Sequence, residues 1–507
     1  MHEEWWLYTI LPRLRTPFGR REVDLKSKIS SRWSIRFMAI LHLLFLLGLA
    51  VPGTNAQSQE ATGRNTDHAL PNDFAAKTTE YLQARARVTG FSGAVLVAFN
   101  GQPVFREAFG LANHELEIPN TPTTKFRTGS ITKQFAAAAI LLLEQRGQLK
   151  LTDPVSKYLS DWPPAWNEVT VHHLLSHTAG LPQITTQALL DVSALTRSSP
   201  KLFASVHELM RPGEELQPLL FRPGEEFAYS NVGYIILGMV IKKTTGKDFC
   251  DFVSEEIFEL LKMSGTACED PGTILRQRAN GYVRGEGQLT NAGYVDVRFV
   301  GPAGSIYSTI DDLLTWEKML GSDRLLSGPA RTRLFTPVQS NYAYGWWIQE
   351  RFSRRVQWHG GNVSGFVAHI ARYPDDGLFV AVLSNIWSSA DRGQVRAMAN
   401  ELSAIAFGEK YVLPYERKRA ALEPADYDAY VGTYRGKDTF AIARESSRLV
   451  LQIPPGVTVF EIFPESPTKF FASRPEYFLE FKKNGAGQVI SVVVRNEGEE
   501  AEWIKMP

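Results

Sequence analysis

Cysteine is nearly missing from this sequence: Cys250 and Cys268 are the only two in 507 residues. Two thiols without suggestive partners cannot build a zinc site, and they rule out a disulfide-dense scaffold, although they could pair with each other in an oxidising compartment. Net charge is missing as well. Lys+Arg 55 against Asp+Glu 54 leaves +1, and no basic tract interrupts that balance, so no field favours nucleic acid as a partner. Internal repeats and low-complexity tracts are absent. Long apolar runs are scarce: the main one, residues 38–51, reads "MAILHLLFLLGLAV" and is short for a membrane span. What remains is a chain with 44% apolar and 21% charged residues, the balance of a soluble globular protein long enough for two or three domains.

The apolar run has a specific setting. Lys26, Lys28, Arg32 and Arg36 precede it, and "PGTNAQ" follows, with Thr54 and Ala56 small enough for a signal-peptidase site. Residues 1–56 therefore read as a secretory signal peptide with a long leader, and the mature protein as exported, periplasmic or secreted. The alternative is an uncleaved segment that anchors the protein to the membrane. Arg20-Arg21 makes a poor twin-arginine signal because acidic residues follow it, and no cysteine lies near residue 57 to carry a lipid.

Residues 57–72 are polar and read as a linker. Helical periodicity starts near Phe74, and "GAVLVAFNGQPVFREAFG" gives two apolar strands around Asn100-Gly101, a strong hairpin signal. The stretch 130–330 is mainly helical in pattern, broken by loops such as "SHTAGLP" and "FRPGEE". Next, "VSGFVAHIARY" and "GLFVAVLSN" flank the turn Pro374-Asp375-Asp376-Gly377, and a helix follows at about 391–407. Strands at both ends with helices between them predict an α+β domain, residues 73–408, whose terminal strands share one sheet. After a linker at 409–421 the texture changes to short β-rich runs such as "RLVLQI" and "VISVVVRN", which predict a small β-barrel or sandwich over 422–507.

Three short stretches carry possible chemistry. In "FRTGSITKQFAAAAILLLEQ", Ser130 and Lys133 stand three apart at the mouth of an apolar helix, where a desolvated lysine could take the serine's proton. In "FAYSNVGYIILG", Tyr229 could relay a proton and Asn231 could hold a substrate carbonyl. In "WHGGNVSGF", His359 precedes glycines that let a backbone approach closely. Taken singly, each has a structural reading: a helix cap at Ser130, a cap at Ser230 or Asn231, a glycine-rich strand entry after His359. The same Ser-x-x-Lys spacing also occurs at Ser198/Lys201 and Ser466/Lys469, but both contain proline and neither opens an apolar helix. "HHLLSH" sets His173 and His177 four apart, as in a zinc protease, yet Leu174 stands where the general base must be. A Gly-x-Ser-x-Gly elbow is absent, which weakens the commonest rival for a serine esterase.

In combination and order, these features resemble the serine β-lactamase/penicillin-binding-protein family, in the branch of class C β-lactamases, DD-peptidases, D-aminopeptidases and esterases. Ser130 and Lys133 match its Ser-x-x-Lys, Tyr229 and Asn231 its Tyr-x-Asn, and His359 and Gly361 its Lys/His-x-Gly. "LTDPVSKYL", "LLSHTAGLP", "FRPGEEFAYSN" and "GPAGSIYST" resemble other segments of the branch, so the likeness spans about residues 75–408. The resemblance implies a β-lactamase/transpeptidase-like domain in which Ser130 is acylated, Lys133 and Tyr229 share its proton, and Asn231 contacts the acyl amide. It also implies an oxyanion hole made by the backbone N–H groups of Ser130 and Asn362, with no metal or organic cofactor. One departure stands out. Where β-lactamases carry Lys-Thr-Gly to receive a substrate carboxylate, His359-Gly360 offers a titratable cation and no hydroxyl. The expected activity is therefore an exported serine hydrolase for small amides or esters, D-amino-acid and cell-wall peptides among them. The alternatives are a penicillin-binding protein or β-lactamase, and a domain without catalysis that binds peptidoglycan or a partner protein.

Overall fold

The computed structural model describes residues 69–182, 218–285, 288–387, 389–414, 417–436, 438–446, 448–453, 458–472, 477–496 and 499–506. The signal segment, most of the first linker and the Ser198/Lys201 pair lie outside them. Chain direction is set early. Helix α1 (Phe74–Thr89) ends at Gly90, whose φ of 66° is a left-handed stop that a side chain would strain. Strands β1 (Gly93–Phe99) and β2 (Gln102–Phe109) then turn about Asn100 and Gly101, both at positive φ (49° and 73°). A two-residue turn of that kind matches the natural twist of a hairpin.

Helices α2 (Thr132–Gln145), α3 (Asn231–Thr245) and α4 (Ile310–Leu320) follow, with short strands between them that helical patterning does not reveal, such as Ile306–Ser308. Strands β3 (Trp347–Arg351), β4 (Arg354–Val363), β5 (Phe366–Tyr373) and β6 (Leu378–Ser384) come next, and helix α5 (Ser389–Phe407) closes the unit. The main sheet runs β3-β4-β5-β6-β1-β2 and is antiparallel throughout, so the first and last strands meet at its centre: Val95 pairs with Val382, and Val97 with Val380.

Both sheet faces are covered, which is why β6 reads as an almost continuous apolar run and β5 as a largely apolar one, interrupted by His369 and Arg372, rather than as alternating strands. Ala94, Leu96, Ile370, Ala381 and Leu383 face the core built with α2, α3 and α4. Val95, Val97, Val367, Val380 and Val382 face the opposite core, with Tyr81 and Leu82 of α1 and Met398, Leu402 and Ile405 of α5. Cys250 and Cys268 are joined in a disulfide that ties the helix Phe249–Val253 to the strand Ala267–Cys268.

The C-terminal strands, β7 (Gly432–Arg435), β8 (Thr439–Glu445), β9 (Arg448–Gln452), β10 (Thr458–Pro464), β11 (Lys469–Ala472), β12 (Tyr477–Lys483), β13 (Val489–Asn496) and β14 (Glu499–Lys505), form a closed eight-stranded barrel. Each strand pairs with the next in antiparallel sense, and Tyr434 opposite Lys505 closes the ring. Tyr430, Tyr434, Phe440, Phe470, Phe481 and Trp503 pack its interior. The barrel is anchored by Arg495 of β13, whose guanidinium meets Glu401 of α5 at 2.5 Å. The other oxygen of Glu401 accepts the Val412 N–H of the connecting segment at 3.0 Å.

Candidate active site

Ser130 lies in a single 3₁₀ turn, Gly129–Ile131, that feeds α2. The helix has no side-chain cap, so the Ser130 hydroxyl is not occupied as a capping group. The turn is locked from behind: Thr128 gives its N–H and its hydroxyl to the Ile306 carbonyl at 2.9 and 2.8 Å, and Ile306 N–H donates to Thr132 Oγ1 at 3.1 Å. From the front, β4 crosses the turn at a distance only glycine permits. A Cβ on Gly361 would fall 1.8 Å from the Thr128 carbonyl oxygen and 3.0 Å from the Ser130 nitrogen. One on Gly129 (φ 53°) would fall 2.7 Å from the Asn362 nitrogen. Two glycines thus bring the backbone nitrogens of Ser130 and Asn362 to the two sides of one crossing, where paired N–H donors can receive a developing oxyanion.

One helical turn on, Lys133 is fully buried. Its Nζ lies 3.2 Å from Ser130 Oγ, 2.8 Å from Asn231 Oδ1 and 2.8 Å from the Ala303 carbonyl oxygen. Burial alone holds its pKa well below the ordinary lysine value, and among the described residues no carboxylate stands by to keep the ammonium charged. The rings of Tyr229 and Tyr234 lie 4.9 and 5.4 Å away. Cation–π attraction of about 2 kcal/mol at best does not offset several kcal/mol for burying an ammonium. Burial therefore favours the neutral amine. In that form two N–H bonds go to Asn231 Oδ1 and the Ala303 carbonyl, which can only accept, and the lone pair is left to the Ser130 hydroxyl.

Tyr229 and Asn231 flank Ser230, which accepts from Gly233 N–H at 3.3 Å and caps α3. The capping reading therefore holds for Ser230 and leaves its two neighbours to face Lys133. Burial pushes the Tyr229 phenol up, with an opposing pull from its hydrogen bond with Ser130, so the phenol stays protonated. His359 of β4 is also here, but not as the cation its type suggests. It is 3% exposed, with Nδ1 at 2.6 Å from the Gly360 carbonyl and Nε2 at 3.2 Å from the Tyr342 hydroxyl. A carbonyl can only accept, so the proton sits on Nδ1 and Tyr342 donates to Nε2. Burial, together with the nearby Lys133, lowers its pKa to about 3 and keeps the ring neutral. Asn362, next along the strand, is exposed at the surface of the crossing.

The fold thus gathers Ser130, Lys133, Tyr229, Asn231, His359, Gly361 and Asn362 from three separate chain segments. Sequence reasoning missed three contributors. The Ala303 carbonyl carries no side-chain signal. Tyr342 lies outside any motif. His177 was visible only as half of a zinc-like pair, whereas His173 instead accepts Thr170 N–H in a helix-capping box and His177 lies buried against Tyr229.

A turn-borne serine with a dry lysine beside it, set between an antiparallel sheet and a helical region, defines a serine β-lactamase/penicillin-binding-protein type of hydrolase. The family model described as Beta-lactamase matches residues 76–405, well over half of the chain, and the protein belongs to that family. It is similar to Penicillin-binding protein 4* of Bacillus subtilis, at 29% identity over 82% of this chain and 95% of that one. It is also similar to D-aminopeptidase of Gluconobacter oxydans, at 26% identity over 74% of this chain and 69% of that one. Among solved structures, an octameric penicillin-binding protein homologue from Pyrococcus abyssi superposes with a TM-score of 0.60 at 24% identity, covering 85% of this chain and all of that one (100%). At that identity the likeness concerns the fold.

Proposed function

We propose that this protein is an exported serine hydrolase that forms an acyl-enzyme at Ser130 with small amides or esters, D-amino-acid peptides among them. The observation that carries this reading is the buried Lys133 amine, 3.2 Å from Ser130 Oγ and held by Asn231 Oδ1 and the Ala303 carbonyl at 2.8 Å each. As Oγ attacks the substrate carbonyl carbon, its proton passes to Lys133 Nζ. The oxygen that gains charge settles between the N–H groups of Ser130 and Asn362. Lys133 then returns a proton, through the Tyr229 hydroxyl, to the departing alcohol or amine as the carbonyl–leaving-group bond breaks. Lys133 is the base in this scheme because burial favours its neutral form, whereas burial disfavours the ionised form of Tyr229. Asn231, oriented by its bond to Lys133, keeps its amide N–H₂ to offer the acyl side of the substrate. Water repeats the attack to release the acid.

The neutral, internally satisfied His359 supports a substrate without a carboxylate at the position where β-lactam and D-Ala-D-Ala ligands carry one. A D-aminopeptidase or esterase role is favoured over a β-lactamase or penicillin-binding role on that ground. Export is supported by the Cys250–Cys268 disulfide, a bond that persists in oxidising compartments. A panel of a chromogenic cephalosporin, short-chain nitrophenyl esters, a D-alanine anilide and a D-Ala-D-Ala peptide tests the reading. Turnover of the esters or the anilide, lost in Ser130→Ala, is expected. Rapid turnover of the cephalosporin alone would reverse the preference, and no turnover of any member would favour a binding protein.

A further inference from the structure

His177 takes no part in the scheme above, yet it is among the most enclosed polar residues beside the site, 1% exposed. It follows the short helix Val171–Leu175 and adopts a φ of 58°, a left-handed conformation that is strained for a residue with a side chain. That conformation aims the ring inward. Its centroid lies 4.3 Å from the ring of Tyr229, 4.7 Å from Tyr342 and 5.1 Å from Tyr234. The charged or titratable groups around it are those three phenols, Lys133 and His359.

Its hydrogen bonds bracket one residue. The His177 carbonyl accepts Ala228 N–H at 2.9 Å, and its Nδ1 accepts Ser230 N–H at 3.1 Å. Tyr229 is therefore clipped on both sides of its own backbone while the imidazole lies against its ring. The clip continues outward, with Gly224 N–H on the Thr178 carbonyl at 2.8 Å and Leu220 N–H on the Gly180 carbonyl at 2.7 Å. Because Nδ1 accepts, the neutral ring carries its proton on Nε2. That buried N–H finds no hydrogen-bond partner among the described residues. A left-handed backbone and an unsatisfied donor are both costs, and the core gains little from either.

We infer that His177 is a positioning residue for Tyr229, fixing the phenol over Ser130 and Lys133 through the Ser230 N–H bond and ring contact. The inference rests on the serine-hydrolase reading, and the test separates the two. Second-order labelling of Ser130 by a fluorophosphonate is followed from pH 5 to 10 in the full mature protein, in His177→Phe and in His177→Asn. Phenylalanine keeps the ring but cannot accept from Ser230, whereas asparagine can place an acceptor near Nδ1. For His177→Phe, a thermal unfolding profile confirms folding, and roughly 10- to 100-fold slower labelling with an altered pH profile is expected, the scale of a small misplacement of a reacting group. His177→Asn should recover most of the rate. Wild-type rate and pH profile in a folded His177→Phe, or no recovery in a folded His177→Asn, would overturn the inference alone. Failure of the wild type to label at Ser130 would instead strike the hydrolase reading, and the positioning role with it.

Discussion

At the residue scale, chemistry depends on which buried groups are kept neutral. His359 and Lys133 belong to residue types usually drawn as cations, yet both are enclosed without a carboxylate to pair with among the described residues. The consequence for stability has a definite sign. His359 titrates at about 3 in the folded protein against an ordinary value of 6.5. Between those values the unfolded chain binds more protons, so folding is weakened as pH falls from 6.5 toward 3, by about 1 kcal/mol per pH unit. Urea unfolding of wild type and His359→Gln at pH 7 and pH 5 checks this. The wild type should lose more stability over the interval than the variant, and parallel losses would contradict the assignment. None of this was legible in the sequence, where His359 was a titratable cation, because enclosure by Tyr342 and the Gly360 carbonyl is a property of the folded strand. The motif residues themselves were legible, since Ser130/Lys133 and Tyr229/Asn231 keep short fixed spacings at helix starts.

At the element scale, the site exists because β4 crosses the Gly129–Ile131 turn almost in contact. Gly361→Ala would drive a methyl group into the Thr128 carbonyl. The strand must then retreat, separating the two oxyanion donors. A loss of about 1–3 kcal/mol in urea unfolding is expected from the overpacking. A fall of about 100-fold or more in kcat is expected from the lost donor. An unchanged kcat would show that the crossing does not hold the transition state. The hairpin at Asn100-Gly101 and the α1 start near Phe74 could be read from patterning, because turn chemistry and helical periodicity are local. The pairing of early with late strands followed from the order of elements, strands at both ends with helices between. Short strands such as Ile306–Ser308 could not: their pairing with Phe126–Arg127 is long-range, and three residues carry no periodicity.

At the scale of the whole molecule, the barrel is filled by its own aromatic side chains and is tied back through Glu401 and Arg495 rather than through the catalytic residues. Breaking that tie should uncouple the two parts. Calorimetry of Glu401→Ala is expected to show the barrel melting separately and earlier, with ester turnover retained. A single transition at the wild-type temperature would mean that the remaining contacts suffice. The change of texture after residue 421 made an all-β unit readable from sequence, whereas its attachment through a partly buried ion pair was not, since Glu401 and Arg495 lie 94 residues apart.

The most direct test of the central claim is rapid-quench intact-mass analysis of the mature protein mixed with a nitrophenyl ester, followed by peptide mapping. One acyl group per chain on the peptide containing Ser130, absent in Ser130→Ala and strongly slowed in Lys133→Met, is the predicted result. An adduct elsewhere, or turnover that persists in Ser130→Ala, would contradict it.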